Sequence, residues 1–151
     1  MLFRSTVQGQ FSVGGQKSAS VTADPVTGEL RDAKWWGASA LAAYKFSPRT
    51  EGIVRADYIN NKKNGGGLLG YGSADGRNGI GPDTDAISGD PEIGANRTAL
   101  TFGMSYAVNP STTLKAEYRI DRASQPVFLD IADGTYRKSN QLFGTSVLVS
   151  F

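Results

Sequence analysis

The C-terminal segment of the chain, NQLFGTSVLVSF, constrains the fold more than any other feature. Counted back in twos from the end, one face of this segment carries Phe151, Val149, Val147, Thr145 and Phe143. Successive side chains of a β-strand point to opposite faces, so these residues form one apolar stripe that only Thr145 interrupts. The other face is mostly small and polar, apart from two leucines. The segment therefore predicts a strand over 140–151 with one apolar face.

Five other segments show the same alternation, so six strands are predicted. They lie near residues 2–13, 35–46, 51–60, 97–108, 113–122 and 140–151. The connections alternate in length, because residues 47–50 and 109–112 form tight turns whereas the other three connections are long. The sequence therefore predicts an antiparallel up-and-down sheet whose long loops all leave from the same end.

This rhythm is typical of outer-membrane β-barrels, whose extracellular loops are long and whose periplasmic turns are short. The predicted strands are also about as long as the roughly 9–11 residues that cross a bilayer at a tilt. Aromatic residues lie near strand ends, where the girdles at membrane interfaces are found. They are Trp35, Trp36, Tyr44, Phe46 and Tyr58. The tryptophan pair is therefore expected to anchor the interface rather than to stack on sugars.

A soluble β-sandwich is the main alternative fold, because its strands also alternate. It explains neither the asymmetry of the loops nor the terminal phenylalanine. We therefore predict an all-β fold, a transmembrane antiparallel up-and-down β-barrel.

The C-terminal stripe also resembles the assembly signal of Gram-negative outer-membrane barrels, a terminal phenylalanine preceded by apolar residues at alternate positions. The residues that match this pattern are Phe143, Val147, Val149 and Phe151. The resemblance implies that the barrel assembly machinery acts on the chain as it inserts into outer-membrane lipid. It places the protein in the cell outer membrane of a Gram-negative bacterium.

Six strands are too few to close a barrel, because single-chain barrels begin at about eight strands. An open sheet in lipid would leave two edges unpaired, which costs several kcal/mol per backbone group. The N-terminal sequence MLFRSTVQGQFSV contains no signal peptide. Residues 1–151 are therefore predicted to be the C-terminal portion of a larger barrel, and a share in an oligomeric barrel is the alternative. A homotrimer formed through the outer apolar face is also expected.

The composition excludes several classes of function. The chain has no cysteine and no histidine, so it lacks thiol catalysis, cysteine-ligated zinc and the usual general base near neutral pH. No serine lies in a recognisable nucleophile motif, so no enzyme, catalytic residue or cofactor is expected. The net charge of +2 is small and its carriers are interleaved, which is unlike a nucleic-acid surface.

Charged side chains gather on the face opposite the apolar stripe, which is the candidate lumen of the barrel. They are Arg4, Lys45, Glu51, Arg55, Asp57, Arg97, Lys115, Glu117, Arg119 and Asp121. Arg or Lys facing lipid at the bilayer midplane costs about 2–4 kcal/mol, so this one-sidedness orients the sheet. We predict a water-filled channel wall whose charge pairs orient passing solutes. The alternative is a structural lattice of salt bridges that fills the barrel.

Residues 61–96 form a glycine-rich loop that is too long for a simple connector. It is predicted to be either a constriction or recognition loop at the mouth of the barrel or a flexible surface loop. Asp83, Asp85 and Asp90 lie within it, but their spacing does not fit an EF-hand, so no metal site is expected. Its glycines lack the strand-then-helix context of a phosphate loop.

Four stretches of the chain resemble an uncharacterised porin-like outer-membrane family of proteobacteria, a domain of unknown function. They are ADPVTGELRDAKWWG, ADYINNKKNGGGLLGY, DGRNGIGP and TSVLVSF. The resemblance implies a longer, secreted precursor and supports fold and location more than function. The polar inner face favours a porin-like channel for passive diffusion of small hydrophilic solutes. The alternative is a structural or surface-interaction barrel that acts through its extracellular loops.

Overall fold

The computed structural model describes residues 4–18, 27–29, 32–60 and 96–151. Six long strands form one sheet: β1 (Ser5–Gln16), β2 (Ala33–Lys45), β3 (Thr50–Asn60), β4 (Arg97–Asn109), β5 (Thr112–Ala123) and β8 (Ser139–Val149). Two short strands, β6 (Phe128–Leu129) and β7 (Tyr136–Arg137), pair with each other as a separate hairpin. The large sheet has the order β1-β2-β3-β4-β5-β8, and every neighbouring pair is antiparallel. The prediction of an all-β, antiparallel up-and-down sheet is confirmed.

The sheet is open in the described part of the chain. Strands β1 and β8 form its two edges and do not pair with each other. Nevertheless, Gln10 of β1 and Asn140 of β8 line the same cavity, together with residues of the strands between them. The sheet therefore curls toward the face on which these two residues lie.

The first strand extends further along the chain than the sequence predicted. The prediction was 2–13, whereas β1 continues to Gln16, and residues 2–3 lie outside the described residues. Glycine weakens strands, so the sequence Gly14-Gly15 did not predict that the strand continues. The indole of Trp35, on β2, lies over Gly14 and occupies the space that a Cβ would need. The neighbouring strand thus supplies the packing that Gly14 itself lacks.

Side-chain hydrogen bonds form the two tight turns. The Ser47 hydroxyl accepts the N–H groups of Arg49 and Thr50 at 3.2 and 3.0 Å. The side-chain oxygen of Asn109 accepts the N–H of Ser111 at 2.9 Å. Such local bonds give the backbone a partner where the ladder stops. Because alternate connections of an up-and-down sheet share an end, both turns lie at the same end, which we name the turn end.

The last strand ends earlier than the predicted 140–151, at Val149. The N–H of Ser150 donates a 2.8 Å hydrogen bond to the carbonyl of Ser111 in the β4–β5 turn. Phe151 follows and is fully exposed. The described C-terminus therefore lies at the turn end of the sheet.

The register places the apolar stripes of all six strands on one surface, which we name the apolar face. Its large members are Val7, Phe11, Val13, Trp36, Tyr44, Val54, Phe102, Met104, Tyr106, Leu114, Tyr118, Phe143, Val147 and Val149. These side chains are exposed, with 79% for Val7 and 71% for Phe143. In the described part of the chain, the buried hydrophobic residues are only Ala99 and Val127. The sheet therefore has no apolar core of the kind that a soluble sheet forms on one face.

The described residues form no helix that is both long and apolar enough to span a membrane.

Candidate functional site

Nine of the ten charged residues that were predicted to line a lumen share the surface opposite the apolar face, which we name the polar face, and they lie on β2 to β5. The tenth, Arg4, immediately precedes β1, and its carbonyl accepts the N–H of Lys45 at 2.7 Å. The remaining positions of this face are mostly small, such as Ser39, Gly103 and Gly144. The alternation seen in the sequence is thus preserved across the whole sheet.

Arg55 and Asp57 follow each other on the polar face of β3 and form an ion pair. The Arg55 Nε lies 2.9 Å from each carboxylate oxygen of Asp57, and its Nη2 lies 2.8 Å from Oδ1. The Ser39 hydroxyl on β2 donates a further hydrogen bond of 2.6 Å to the same carboxylate. The negative charge of Asp57 is therefore balanced by Arg55 on the same strand, and the carboxylate is held in position by Ser39 on the neighbouring strand.

Strand β5 repeats this arrangement with Arg119 and Asp121. The Arg119 Nε lies 2.9 and 3.0 Å from the two carboxylate oxygens of Asp121, and its Nη2 lies 2.7 Å from Oδ1. The register places Thr101 and Ala99 of β4 between this pair and the pair on β3. Two Arg-x-Asp pairs therefore stand side by side, separated by the small side chains of β4.

Four further charges of the polar face lie toward the turn end. Lys45 and Glu51 are directly paired in the β2–β3 register, and Lys115 and Glu117 follow each other on β5. Within the described residues, none of these four side chains forms an ion pair within 4 Å. A cavity of about 620 Å³ runs along this part of the face, between the charged residues of β3 and β5.

The connection between the last two predicted strands was predicted to be a long loop, but it carries the β6–β7 hairpin, which folds over the polar face. Val127, at the start of the hairpin, is 1% exposed and packs against Ala123 and Phe128. Its N–H donates a 3.0 Å hydrogen bond to the carbonyl of Arg137. The base of the hairpin is tied to β4, because the Ser124 N–H donates to the carbonyl of Asn96 at 2.9 Å.

A cluster of charges holds the tip of this hairpin. Arg137 contacts Asp130 through Nε at 2.8 Å and Asp133 through Nη2 at 2.7 Å. The Thr135 hydroxyl and N–H also donate to Asp133, at 2.6 and 2.9 Å. These hydrogen bonds from Thr135, with the nearby positive charge of Arg137, lower the pKa of Asp133. The hydrogen bond to Asp130 raises the pKa of Arg137.

A cavity of about 460 Å³ lies between this hairpin and the end of the polar face opposite the turn end. Both Arg-x-Asp pairs contribute to its wall, through Asp57, Arg119 and Asp121. Arg97, at the start of β4, also lines it, and Phe128 of β6 closes one side. Four charged side chains that were predicted separately from the sequence thus line one cavity.

The two adjacent tryptophans lie on opposite faces of β2 and cannot form one flat platform. Trp36 packs on the apolar face, with ring centroids 5.9 Å from Phe11 and 5.1 Å from Tyr58. Trp35 points to the other side and covers Gly14. The geometry gives no support to a sugar-stacking surface built from both rings.

The predicted assembly residues lie at the edge strand. Phe143, Val147 and Val149 share the apolar face of β8 and are 71, 63 and 56% exposed. Phe151 lies beyond β8. Their common exposure makes these side chains accessible to another protein.

The long loop and the three aspartates that do not fit an EF-hand fall in a part of the chain outside the described residues. This part comprises residues 61–95 and includes Asp83, Asp85 and Asp90. Among the residues that are described, no group of three or more His, Cys, Asp or Glu is placed to hold a metal ion.

Two features of the site were missed from the sequence. The hairpin strands are only two residues long, too short for a periodic pattern, although the Asp133-Gly134 pair is a turn signal. The Arg-x-Asp spacing occurs at Arg55 and again at Arg119, and this repetition could have indicated paired charges within one strand.

Comparison with known proteins identifies the family of the chain but not its activity. The chain matches a family model described as "Protein of unknown function (DUF3138)" over residues 14–151. Comparisons with curated proteins and with solved structures give no match. The family match covers nearly the whole sequence and includes all the strands from β2 to β8. The chain therefore belongs to the DUF3138 family of proteins of unknown function.

Proposed function

We propose that this chain forms part of the wall of a porin-like channel in the outer membrane, through which small hydrophilic solutes diffuse passively. The observation that carries the proposal is the opposite character of the two faces. Large apolar side chains are exposed along all six strands of one face, whereas charged and small residues predominate on the other, where the large apolar exceptions include Leu41, Ile53, Leu142 and Leu148. A soluble sheet covers its apolar face, and a membrane barrel turns it outward.

The apolar face suits lipid because its charges are confined to one end. Among the described strand residues on this face, the charged ones are Lys34 and Arg122, both near the end opposite the turn end. A polar side chain on the same face, Gln141, accepts a 2.7 Å hydrogen bond from the Tyr118 hydroxyl. The hydrogen bond reduces the cost of placing both groups near hydrocarbon.

The polar face suits water because its ion pairs remain accessible. The side chains of Arg55 and Arg119 are 52 and 48% exposed, although each is bound to an aspartate. The residues between them on β4 are small, so they leave space above the sheet. These features favour a hydrated wall over a lattice of salt bridges that fills the barrel.

A membrane location requires the sheet to close, because lipid offers no partner to the backbone groups of an edge strand. Strands β1 and β8 are the present edges. We therefore also propose that further strands pair with these two edges. These strands come from the same polypeptide or from other copies of it. The proposal also includes the barrel assembly machinery as a partner during insertion and a homotrimer as the assembled form.

The second candidate is a structural or surface-interaction barrel that acts through its loops. The observation in its favour is the β6–β7 hairpin, which covers part of the polar face with Phe128 and Leu129. A barrel closed in this way would not conduct.

Conductance distinguishes the two functions. The full-length protein, purified from the outer-membrane fraction, is added to a planar lipid bilayer, with heat-unfolded protein as the control. We expect stepwise ionic currents from the folded protein only. Absence of current from protein that is folded in that fraction would favour the structural barrel. Recovery of the protein in the soluble fraction alone would refute the membrane location.

A further inference from the structure

The cavity beneath the hairpin combines charge with apolar cover. Its wall on the sheet side carries Arg97, Asp57, Arg119 and Asp121, whereas Phe128 and the adjacent leucine cover it from the hairpin side. Its volume of about 460 Å³ falls within the roughly 300–1,000 Å³ that is usual for small-molecule sites. It therefore has the size and the mixed chemistry of a site for a small amphipathic molecule.

The two carboxylates of this cavity already have partners. Asp57 is bound by Arg55 at 2.8 Å, and Asp121 is bound by Arg119 at 2.7 Å. Each carboxylate thus contacts a guanidinium of its own strand, and the charge of Asp121 also reaches Arg97 across the cavity. With Arg55 counted, three guanidiniums accompany the two carboxylates of this part of the polar face.

Arg97 differs from the other guanidiniums of the polar face. It is half-buried, and its Nε is shielded from solvent without a hydrogen-bond partner in the described part of the chain. No carboxylate among those residues lies within 4 Å of it. A buried donor without a partner is costly, and a charged one more so. The remaining charge in the cavity is therefore a positive charge that an anion would stabilise.

We propose that this cavity is a binding subsite for small organic anions that carry one carboxylate and an apolar body. The inference rests on the proposed channel function and names the solute class that the channel selects. Arg97 binds the carboxylate, because a guanidinium presents its N–H groups in a geometry that matches two carboxylate oxygens. Phe128 covers the apolar body and separates it from water.

Benzoate is the probe, and benzylammonium, with the same ring and the opposite charge, is its matched control. Each is titrated against ionic current through the full-length protein in a planar bilayer. We expect benzoate to block current in a saturable way and benzylammonium not to do so. Equal block by both probes would overturn the proposal, because the cavity would then select shape rather than charge.

Two substitutions locate the binding. Arg97→Gln should raise the half-blocking concentration of benzoate by about tenfold or more, the effect of losing a hydrogen-bonded charge. Arg122→Gln removes the same charge from the apolar face of the neighbouring strand β5, at the same end of the sheet, and should leave the half-blocking concentration unchanged. An identical benzoate response of the native protein and Arg97→Gln would refute the proposed subsite without refuting the proposed channel. Absence of current in the native protein would overturn both.

Phe128→Ala keeps the proposal testable if Arg97→Gln does not assemble. The variant should weaken block by benzoate and leave block by acetate, which carries the carboxylate without the ring, unchanged. Unaltered block by benzoate in Phe128→Ala would refute the role of the hairpin in the subsite.

Discussion

The Ser39 hydroxyl donates a 2.6 Å hydrogen bond to the Asp57 carboxylate across the ladder between β2 and β3. The same carboxylate binds the guanidinium of Arg55 two residues earlier on its own strand. The charge of Asp57 is therefore balanced within its own strand. The sign of the field above the polar face then depends on which partner of a pair is removed.

Replacing Asp57 should make the proposed channel more selective for anions. Asp57→Asn leaves Arg55 without its counter-charge, so the local potential becomes more positive. The reversal potential across a salt gradient should shift toward the equilibrium potential of the anion. Ser39→Ala is the matched control, because it removes one hydrogen bond, worth about 1 kcal/mol, and no charge. A shift of equal size in both variants would contradict this account.

The sequence was sufficient to predict the six long strands and their two faces, because both depend on the period of two. A residue such as Phe102 belongs to the apolar face by its position in the alternation, whatever its neighbours are. The cross-strand register could not be predicted in the same way, because it depends on which residues the turns bring opposite each other. The placement of Thr101 between the two Arg-x-Asp pairs is a consequence of that register.

The hairpin and the cavity could not be predicted from sequence patterns. Strands of two residues contain no alternation, so the β6–β7 hairpin looked like part of a loop. The burial of Val127 follows from how that loop folds back onto β5, which is a tertiary contact. Arg97 shares the charged face by its position in the alternation, but the lack of a described hydrogen-bond partner for its Nε is visible only in three dimensions.

A positive charge on the apolar face should prevent stable insertion. Phe102→Lys places an ammonium at the middle of β4, where the cost in lipid is about 2–4 kcal/mol. Thr101→Lys adds the same charge one residue away, on the polar face, and should be tolerated. The yield of folded protein in lipid vesicles, measured by resistance to mild heating in detergent, checks this. Equal yields from the two variants would show that the faces are not oriented as proposed.

Substitution of Gly134 should loosen the β6–β7 hairpin. Its φ of 73° lies in the left-handed region, so Gly134→Ala should cost about 1 kcal/mol although a Cβ there meets no atom within 4 Å. Gly144→Ala, on β8, adds the same methyl group in equally open space without that backbone strain. Hydrogen exchange at the Val127 N–H should accelerate severalfold in Gly134→Ala only. Slow exchange in both variants would mean that the turn is not under this constraint.

The hairpin should also open in acid. The hydrogen bonds from Thr135 and the charge of Arg137 hold the pKa of Asp133 below its value in an unfolded chain. The ionised form therefore stabilises the hairpin fully above about pH 4, and this contribution is lost as the pH falls through the lowered pKa. Hydrogen exchange at the Val127 N–H, corrected for its intrinsic pH dependence, should show less protection in acid. Asp133→Asn should remove that change, and a persistent acid response in the variant would assign the effect to another group.

The terminal phenylalanine should matter for assembly more than for the finished sheet. Phe151 lies beyond the last ladder bond and is fully exposed, so its side chain adds little to the packing of β8. Phe151→Ala should leave the heat resistance of assembled protein unchanged but lower the amount that reaches the outer membrane severalfold. Leu148→Ala trims a side chain on the polar face of the same strand and should reach the membrane normally. If both variants reach the outer membrane in the same amount as the native protein, the assembly machinery does not recognise the C-terminal stripe. Its apolar residues would then serve only to face lipid.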